Sequence, residues 1–212
     1  MTDFATARAA MVREQIAARG IHDPAVLAAF HEVPRELFVP EHVRHQAYED
    51  RALPIEAEQT ISQPYIVAVM LAAAQLTPRD HVLEVGAGSG YAAALMAHLA
   101  RSVVAVERHA ELAALARRRM QQLGLVNVSI VHGDGTQGYP PAAPYDVILC
   151  AAAGPVVPPA WFEQLAPGGR IIMPVGEVSG PQRLMRITVH PDGRLQEDML
   201  EPVRFVPLLP GC

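Results

Sequence analysis

No stretch of the 212-residue chain reaches the roughly 18 consecutive apolar residues that a membrane-crossing helix needs, although 50% of its residues are hydrophobic. That apolar content has to be folded inward, and the length suits one substantial core rather than two domains. Basic surface is equally scarce. The net charge is −5, and the only basic cluster is Arg117, Arg118 and Arg119, better read as the solvated face of a helix than as part of the broad basic face that nucleic-acid binding requires. Cysteine is scarce too. Cys150 and Cys212 lie far apart, and the opening "MTDFATARAAMVREQ" has no apolar leader and carries Asp3 and Glu14. Both features point to a reducing cytoplasm. No internal repeat and no low-complexity linker breaks the chain.

Its character nevertheless changes twice. Residues 3–50 read as helices: "TARAAMVREQIAARG" has apolar residues at helical spacing and stops at Gly20, while "HDPAVLAAFHEV" offers Asp23 as N-cap with Pro24 at the first helical position. From 81 to 175, β-branched runs ("HVLEV", "SVVAVE", "VSIVH", "YDVILC", "GRIIMPV") alternate with alanine-rich helical segments, the pattern of a mostly parallel sheet covered on both faces. Beyond 182, "RLMRITVHPDGRLQEDML" alternates around Pro191-Asp192-Gly193 and predicts an antiparallel hairpin on the sheet edge. The expected organisation is one domain in three parts: a helical cap (1–57), a cofactor-binding α/β core (58–176) and a β extension (177–212).

The core opens with "VLEVGAGSGYAAALMAHLA". A glycine-rich turn between a strand and a helix lets backbone approach a ligand and aims the helix N-terminus at it. Gly86, Gly88 and Gly90 are spaced G-x-G-x-G behind Glu84, so a dinucleotide site, which needs G-x-G-x-x-G, fails at the third glycine. Glu107 ends the next strand, where a carboxylate can accept from ribose hydroxyls, and "VHGDG" places Asp134 and Gly135 after the third, where a carboxylate can bind an adenine amino group. Together these features resemble a class I methyltransferase that uses S-adenosylmethionine, built on a Rossmann-like doubly wound sheet.

A narrower resemblance follows from "MVREQIAARGIHDPAVLAAFHEVPRELFVP", "AYEDRALPI", "QTISQPY", "VLEVGAGSGY", "GDGTQGYP", "YDVILCAAA", "LAPGGRIIMPVG" and "VRFVPLL", in that order from Met11 to Leu209. The chain is similar to the protein-L-isoaspartate O-methyltransferases. In that family the Q-T-I-S loop closes over the cofactor, so the resemblance implies site roles for Thr60 and Ser62, with Ser62 carrying the catalytic assignment. It also places Gln182 near the cofactor. Read without the resemblance, Ser62 precedes Gln63-Pro64 and an apolar helical run, and serves as an N-cap.

The implied reaction moves a methyl group from a sulfonium to the free carboxylate of an isoaspartyl residue in a damaged protein or peptide. Three alternatives stay open: another carboxylate substrate on the same fold, a non-catalytic S-adenosylmethionine-binding module, and a nicotinamide enzyme, which the glycine spacing disfavours. His42 and His45, three apart, lack a third metal ligand, and Cys150 after "DVIL" reads as a buried hydrophobe. The segment "AAAGPVVPPAW" is expected at the carboxyl end of the sheet, where open α/β folds bind ligands. One departure stands out: family members usually carry G-x-G before Q-T-I-S, whereas this chain has Glu56, Ala57 and Glu58. Glycine would permit positive φ there, which glutamate resists.

Overall fold

The computed structural model describes residues 3–177 and 179–212. Asp3 caps α1 (Phe4–Ala10), which runs on through a π-helical turn at Met11–Ile16 and a 3-10 turn at Ala17–Arg19. Gly20 ends the run at φ 96°, a left-handed position that glycine adopts at little cost. Helix α2 (Pro24–Glu32) begins as its sequence predicts. The Asp23 carboxylate accepts from the N–H groups of Ala25 and Val26, and Pro24 occupies a position where its missing N–H costs nothing. Two further 3-10 segments, Arg35–Phe38 and Glu41–Gln46, complete the cap.

Strands β1 (Leu53–Pro54) and β2 (Thr60–Ile61) pair antiparallel as a small hairpin, so the expected boundary between cap and core at residue 57 falls inside its connection. Helix α3 (Pro64–Ala74) follows. Here one expectation is corrected. The N-cap is Gln63, no side chain caps the helix, and Ser62 lies one residue too early for the task.

The main sheet comprises β3 (His81–Val85), β4 (Ser102–Glu107), β5 (Val128–His132), β6 (Tyr145–Cys150), β7 (Leu165–Gly176), β8 (Gln182–Val189) and β9 (Leu195–Val203). Their order is β5-β4-β3-β6-β7-β8-β9, parallel through β7 and antiparallel beyond it. The chain moves outward from β3 to β5 and then returns to β6 on the other side of β3. A crevice at the carboxyl ends of β3 and β6 follows from that reversal, and it is where such sheets bind ligands. The hairpin turn after β8 forms as predicted, with the Gly193 N–H donating to His190 O at 2.8 Å.

Helices α4 (Tyr91–Ala97) and α5 (Ala110–Gln122) pack with the cap and α3 on one face of the sheet. The other face packs around Trp161 of the short α6 (Pro159–Phe162) and Tyr145. Period-two alternation sorts the strand residues: Val82, Val103, Ala105, Val147 and Leu149 face the first core, and Leu83, Val104, Val106 and Ile148 face the second. Cys150 is buried in the second core, as expected of a small hydrophobe, whereas Cys212 is exposed. Among the described residues no helix is long and apolar enough to cross a membrane.

A second correction concerns the arginine triplet. Arg117 and Arg118 are exposed on α5, but Arg119 borders the buried stripe of Leu112, Ala113, Ala116 and Met120 and turns inward. Its guanidinium donates to Ser89 O at 3.0 Å and lies 3.8 Å from a Glu56 carboxylate oxygen.

Candidate active site

A cavity of about 670 Å³ occupies the predicted crevice. Its floor is the glycine turn after β3, and its walls are the ends of β4 and β6, the segment 59–63, and residues 202–209. At the floor, the N–H groups of Gly86 and Ala87 both donate to Val106 O, at 2.9 and 3.2 Å. This double anchor bends the turn tightly, and Gly86 and Gly88 take φ of 83° and 54°. A side chain on either would be strained.

Two carboxylates line this end. Glu107 accepts from Gly88 N–H at 2.7 Å through one oxygen and from His109 N–H at 2.9 Å through the other, which leaves lone pairs on both for a ligand. Glu84 is only 1% exposed, and its Oε2 has no hydrogen-bond partner. Burial, reinforced by the nearby Glu107 charge, raises its carboxyl well above the ordinary value. An unpaired buried carboxylate is costly. The ammonium of an amino-acid tail would supply what it lacks.

Gly135 also lines the cavity, and a Cβ there would stand 2.4 Å from Val85 Cγ1, so packing alone demands glycine. Three predicted residues lie outside the lining. Gly90 begins α4 at φ 88°, and a Cβ on it would come within 3.1 Å of Ala116 and Met120, so it serves the approach of α4 to α5. Asp134 accepts from the N–H and hydroxyl of Thr136 and, through its other oxygen, from Gly211 N–H at 2.8 Å. Burial pushes its carboxyl up, but the Gly211 and Thr136 donors outweigh that and hold it below the ordinary value. Gln182 is buried and accepts from Phe205 N–H at 2.6 Å while donating to Phe205 O at 3.3 Å. It clamps the segment that forms a cavity wall.

Thr60 and Ser62 both line the cavity, on and just after β2. Glu58 does not: its side chain is exposed and outside the cavity. From "AAAGPVVPPAW", Ala151 and Ala152 reach the cavity, while Ala153 pairs with the wall segment, donating to Val206 O at 2.8 Å and accepting from Leu208 N–H at 2.7 Å. Among the described residues no three His, Cys, Asp or Glu side chains cluster as metal ligands.

Sequence reasoning missed Arg35. Its side chain is wholly buried behind Ser62, its Nε donates to Ala47 O and its Nη2 to Ser62 O, both at 2.8 Å, and its Cζ lies 4.9 Å from the centroid of the Tyr91 ring. The available signal was an Arg35-Glu36 pair set in the apolar run "VPRELFVP".

The sequence profile of the protein-L-isoaspartate(D-aspartate) O-methyltransferases matches residues 6–211. The chain belongs to that family. It is 51% identical to protein-L-isoaspartate O-methyltransferase 1 of Rhodopseudomonas palustris over 98% of this chain and 85% of that one. It is 53% identical to the Methylorubrum extorquens protein-L-isoaspartate O-methyltransferase, covering 99% and 91%. A solved protein-L-isoaspartate O-methyltransferase superposes with TM-score 0.86 at 33% identity; the match covers 94% of this chain and 65% of that longer one. A Plasmodium falciparum structure assigned to the same enzyme, in complex with S-adenosyl-L-homocysteine, matches with TM-score 0.82 at 25% identity over 99% of each chain.

Against the family pattern, the departure before Q-T-I-S now has a geometry. Ala57 and Glu58 both occupy the left-handed region, at φ 54° and 56°. The hairpin thus keeps the backbone that glycine would favour and carries side chains on it at a cost.

Proposed function

We propose that the chain transfers a methyl group from S-adenosylmethionine to the free carboxylate of L-isoaspartyl residues in damaged proteins and peptides. The observation that carries this reading is one cavity lined together by a glycine turn, by a buried carboxylate with an unpartnered oxygen, and by Thr60 and Ser62. Family membership supplies the reaction.

Bound S-adenosylmethionine supplies an electrophilic methyl group on a sulfonium. Glu84 would take the ammonium of its amino-acid tail, Glu107 would accept from the ribose hydroxyls, and Gly86, Gly88 and Gly135 would give the close backbone approach that a side chain would block. Asp134, Gly90 and Gln182 act as supports: Asp134 ties Gly211 to the end of β5, Gly90 seats α4, and Gln182 fixes Phe205. The isoaspartyl α-carboxyl, with a reference pKa near 3.5, is already ionised at neutral pH, so no general base is required. What the chain contributes is alignment. Thr60 and Ser62 orient the attacking oxygen in line with the breaking bond, at the roughly 3–3.5 Å that productive approach needs. Neutral hydroxyls do this without quenching the nucleophile as a tight ion pair would. The resulting methyl ester closes to a succinimide without the enzyme, and its hydrolysis returns some normal aspartate.

The cap (1–57), core (58–176) and extension (177–212) work as one methyltransferase unit, without nucleic acid, and the site of action is the cytoplasm. The deciding experiment is methyl transfer to an isoaspartyl peptide beside its normal aspartyl counterpart. Selective methylation of the isoaspartyl form is expected. Equal methylation of both, or S-adenosylhomocysteine binding without turnover, would overturn the reading.

A further inference from the structure

The cavity carries both signs of charge: Asp50, Glu84 and Glu107 line it, and so do Arg51, Arg108 and Arg204. Behind Ser62 lies a further cation, the guanidinium of Arg35, which is 0% exposed. Among the described residues no carboxylate neutralises it. The adjacent Glu36 is engaged by Arg8 at 3.3 Å and by the Tyr48 hydroxyl. Arg35 has only neutral partners: the carbonyls of Ala47 and Ser62 and the face of Tyr91. Among the described residues neither its Nη1 nor the Tyr91 hydroxyl makes a hydrogen bond of ordinary geometry, and the two groups interact with each other.

Carbonyl acceptors and an aromatic face offset part of the cost of burying a cation, but they leave its charge in place. Retaining such a charge at the expense of stability is understandable where a ligand brings the missing anion. Of the three residues in contact with the guanidinium, Ser62 and Tyr91 are themselves lining residues of the cavity, and Ala47 is not. The wall between cation and cavity is therefore one residue thick.

We infer that Arg35 is a positioning residue for the methyl-accepting carboxylate: it fixes the backbone of Ser62 and places a positive charge behind the wall on which that carboxylate lands. The inference rests on the function proposed above and names how its substrate's charge is met. The two roles have different chemical requirements. Fixing Ser62 needs the arginine fork, because one guanidinium has to reach carbonyls from two segments, Ala47 in the cap and Ser62 in the loop. Meeting the carboxylate needs only the charge. A carboxylate in contact with this arginine would be held tightly and made a poorer nucleophile, whereas a cation set back behind the wall attracts it and leaves its oxygens free to attack.

The test compares wild type, Arg35→Met and Arg35→Lys on an isoaspartyl peptide, and on the same peptide with that α-carboxyl converted to an amide, used as a competitive inhibitor. Arg35→Met is expected to raise KM for the carboxylate peptide by about tenfold or more. Its Ki for the amide peptide and its Kd for S-adenosylhomocysteine should move less than about twofold. Arg35→Lys should recover most of KM and leave kcat low, since the charge returns without the fork. Equal weakening of carboxylate and amide peptides by Arg35→Met would overturn the inference, as would an unchanged KM. If Arg35→Met does not fold, Arg35→Lys decides: near-normal KM with lowered kcat supports the inference, and KM rising together with the S-adenosylhomocysteine Kd removes it. A wild type that does not methylate the isoaspartyl peptide removes the proposed function and this inference together, whereas an active wild type with an indifferent Arg35→Met removes the inference alone.

Discussion

Glu56 and Arg119 meet at 3.8 Å, and the same guanidinium donates to the Ser89 carbonyl at 3.0 Å, so one side chain of α5 ties the β1–β2 connection to the glycine turn. The pair is half-sheltered, with side-chain exposures of 11% for Arg119 and 26% for Glu56. Glu56→Gln removes the ionic half and keeps the Ser89 bond; Arg119→Met removes both. Urea unfolding should show a loss of about 0.5–1 kcal/mol for the first and about 1–3 kcal/mol for the second. Calorimetry should show weaker S-adenosylhomocysteine binding only for Arg119→Met. Equal losses of affinity in both variants would mean that the tie to Ser89 does not matter.

Glu58 carries backbone strain rather than charge into the site. Its side chain is exposed while its φ is 56°, so Glu58→Gly should stabilise the protein by up to about 1 kcal/mol, the left-handed penalty less the extra entropy of glycine in the unfolded chain. Glu58→Gln should change neither the melting temperature nor KM for an isoaspartyl peptide. A Gln variant that lowers KM as much as Gly would restore charge repulsion as the cause.

Ser62 is free of any capping duty, which sharpens its test. Ser62→Ala should lower kcat about ten- to a thousand-fold, the range for losing one oriented donor at a reacting oxygen. Its melting temperature should stay close to that of the parent, because no side chain caps α3. Full activity in a less stable variant would contradict both statements.

Glu84 sets a pH dependence in the ligand-free protein. Its folded-state pKa is raised well above the ordinary 4.5, by burial first and by Glu107 second. Between the two values the folded chain holds a proton that the unfolded chain has released, so stability falls as pH rises from about 4.5 through the raised value. Glu84→Gln should flatten that slope in thermal melts and make the free protein more stable at the alkaline end. The same change should weaken S-adenosylhomocysteine binding about tenfold or more, by removing the ammonium's partner. An unchanged slope would show that Glu84 is not the titrating group.

Much of the frame was legible in the sequence, because its signals are local. Asp23-Pro24, the β-branched runs, the G-x-G-x-G turn and Pro191-Asp192-Gly193 each state their geometry within a few residues. The failures are questions of where a helix begins or of where a side chain points after folding. Ser62 looked like a cap because the helix start was misjudged by a residue or two. Arg119 looked solvated because its two neighbours are, yet one further step around α5 turns it inward. Asp134 shows its adenine-binding pattern in sequence, but not that Gly211, 77 residues away, holds one of its oxygens. Arg35 shows its importance only through Ala47 and Ser62, which sequence distance hides.

The unequal exposure of the two cysteines makes the wall segment observable. Cys150 is sealed in the core, and burial pushes its thiol up to about 12, so at neutral pH it is shielded from alkylating reagents by both access and protonation. A thiol-reactive fluorophore therefore attaches at Cys212 alone. That position adjoins Gly211, whose N–H is held by Asp134 and whose carbonyl accepts from Arg108 at 3.2 Å. The label's anisotropy reads whether residues 207–211 are docked on Asp134 and Arg108 or loose, so the chain carries its own reporter site for the wall of the cavity.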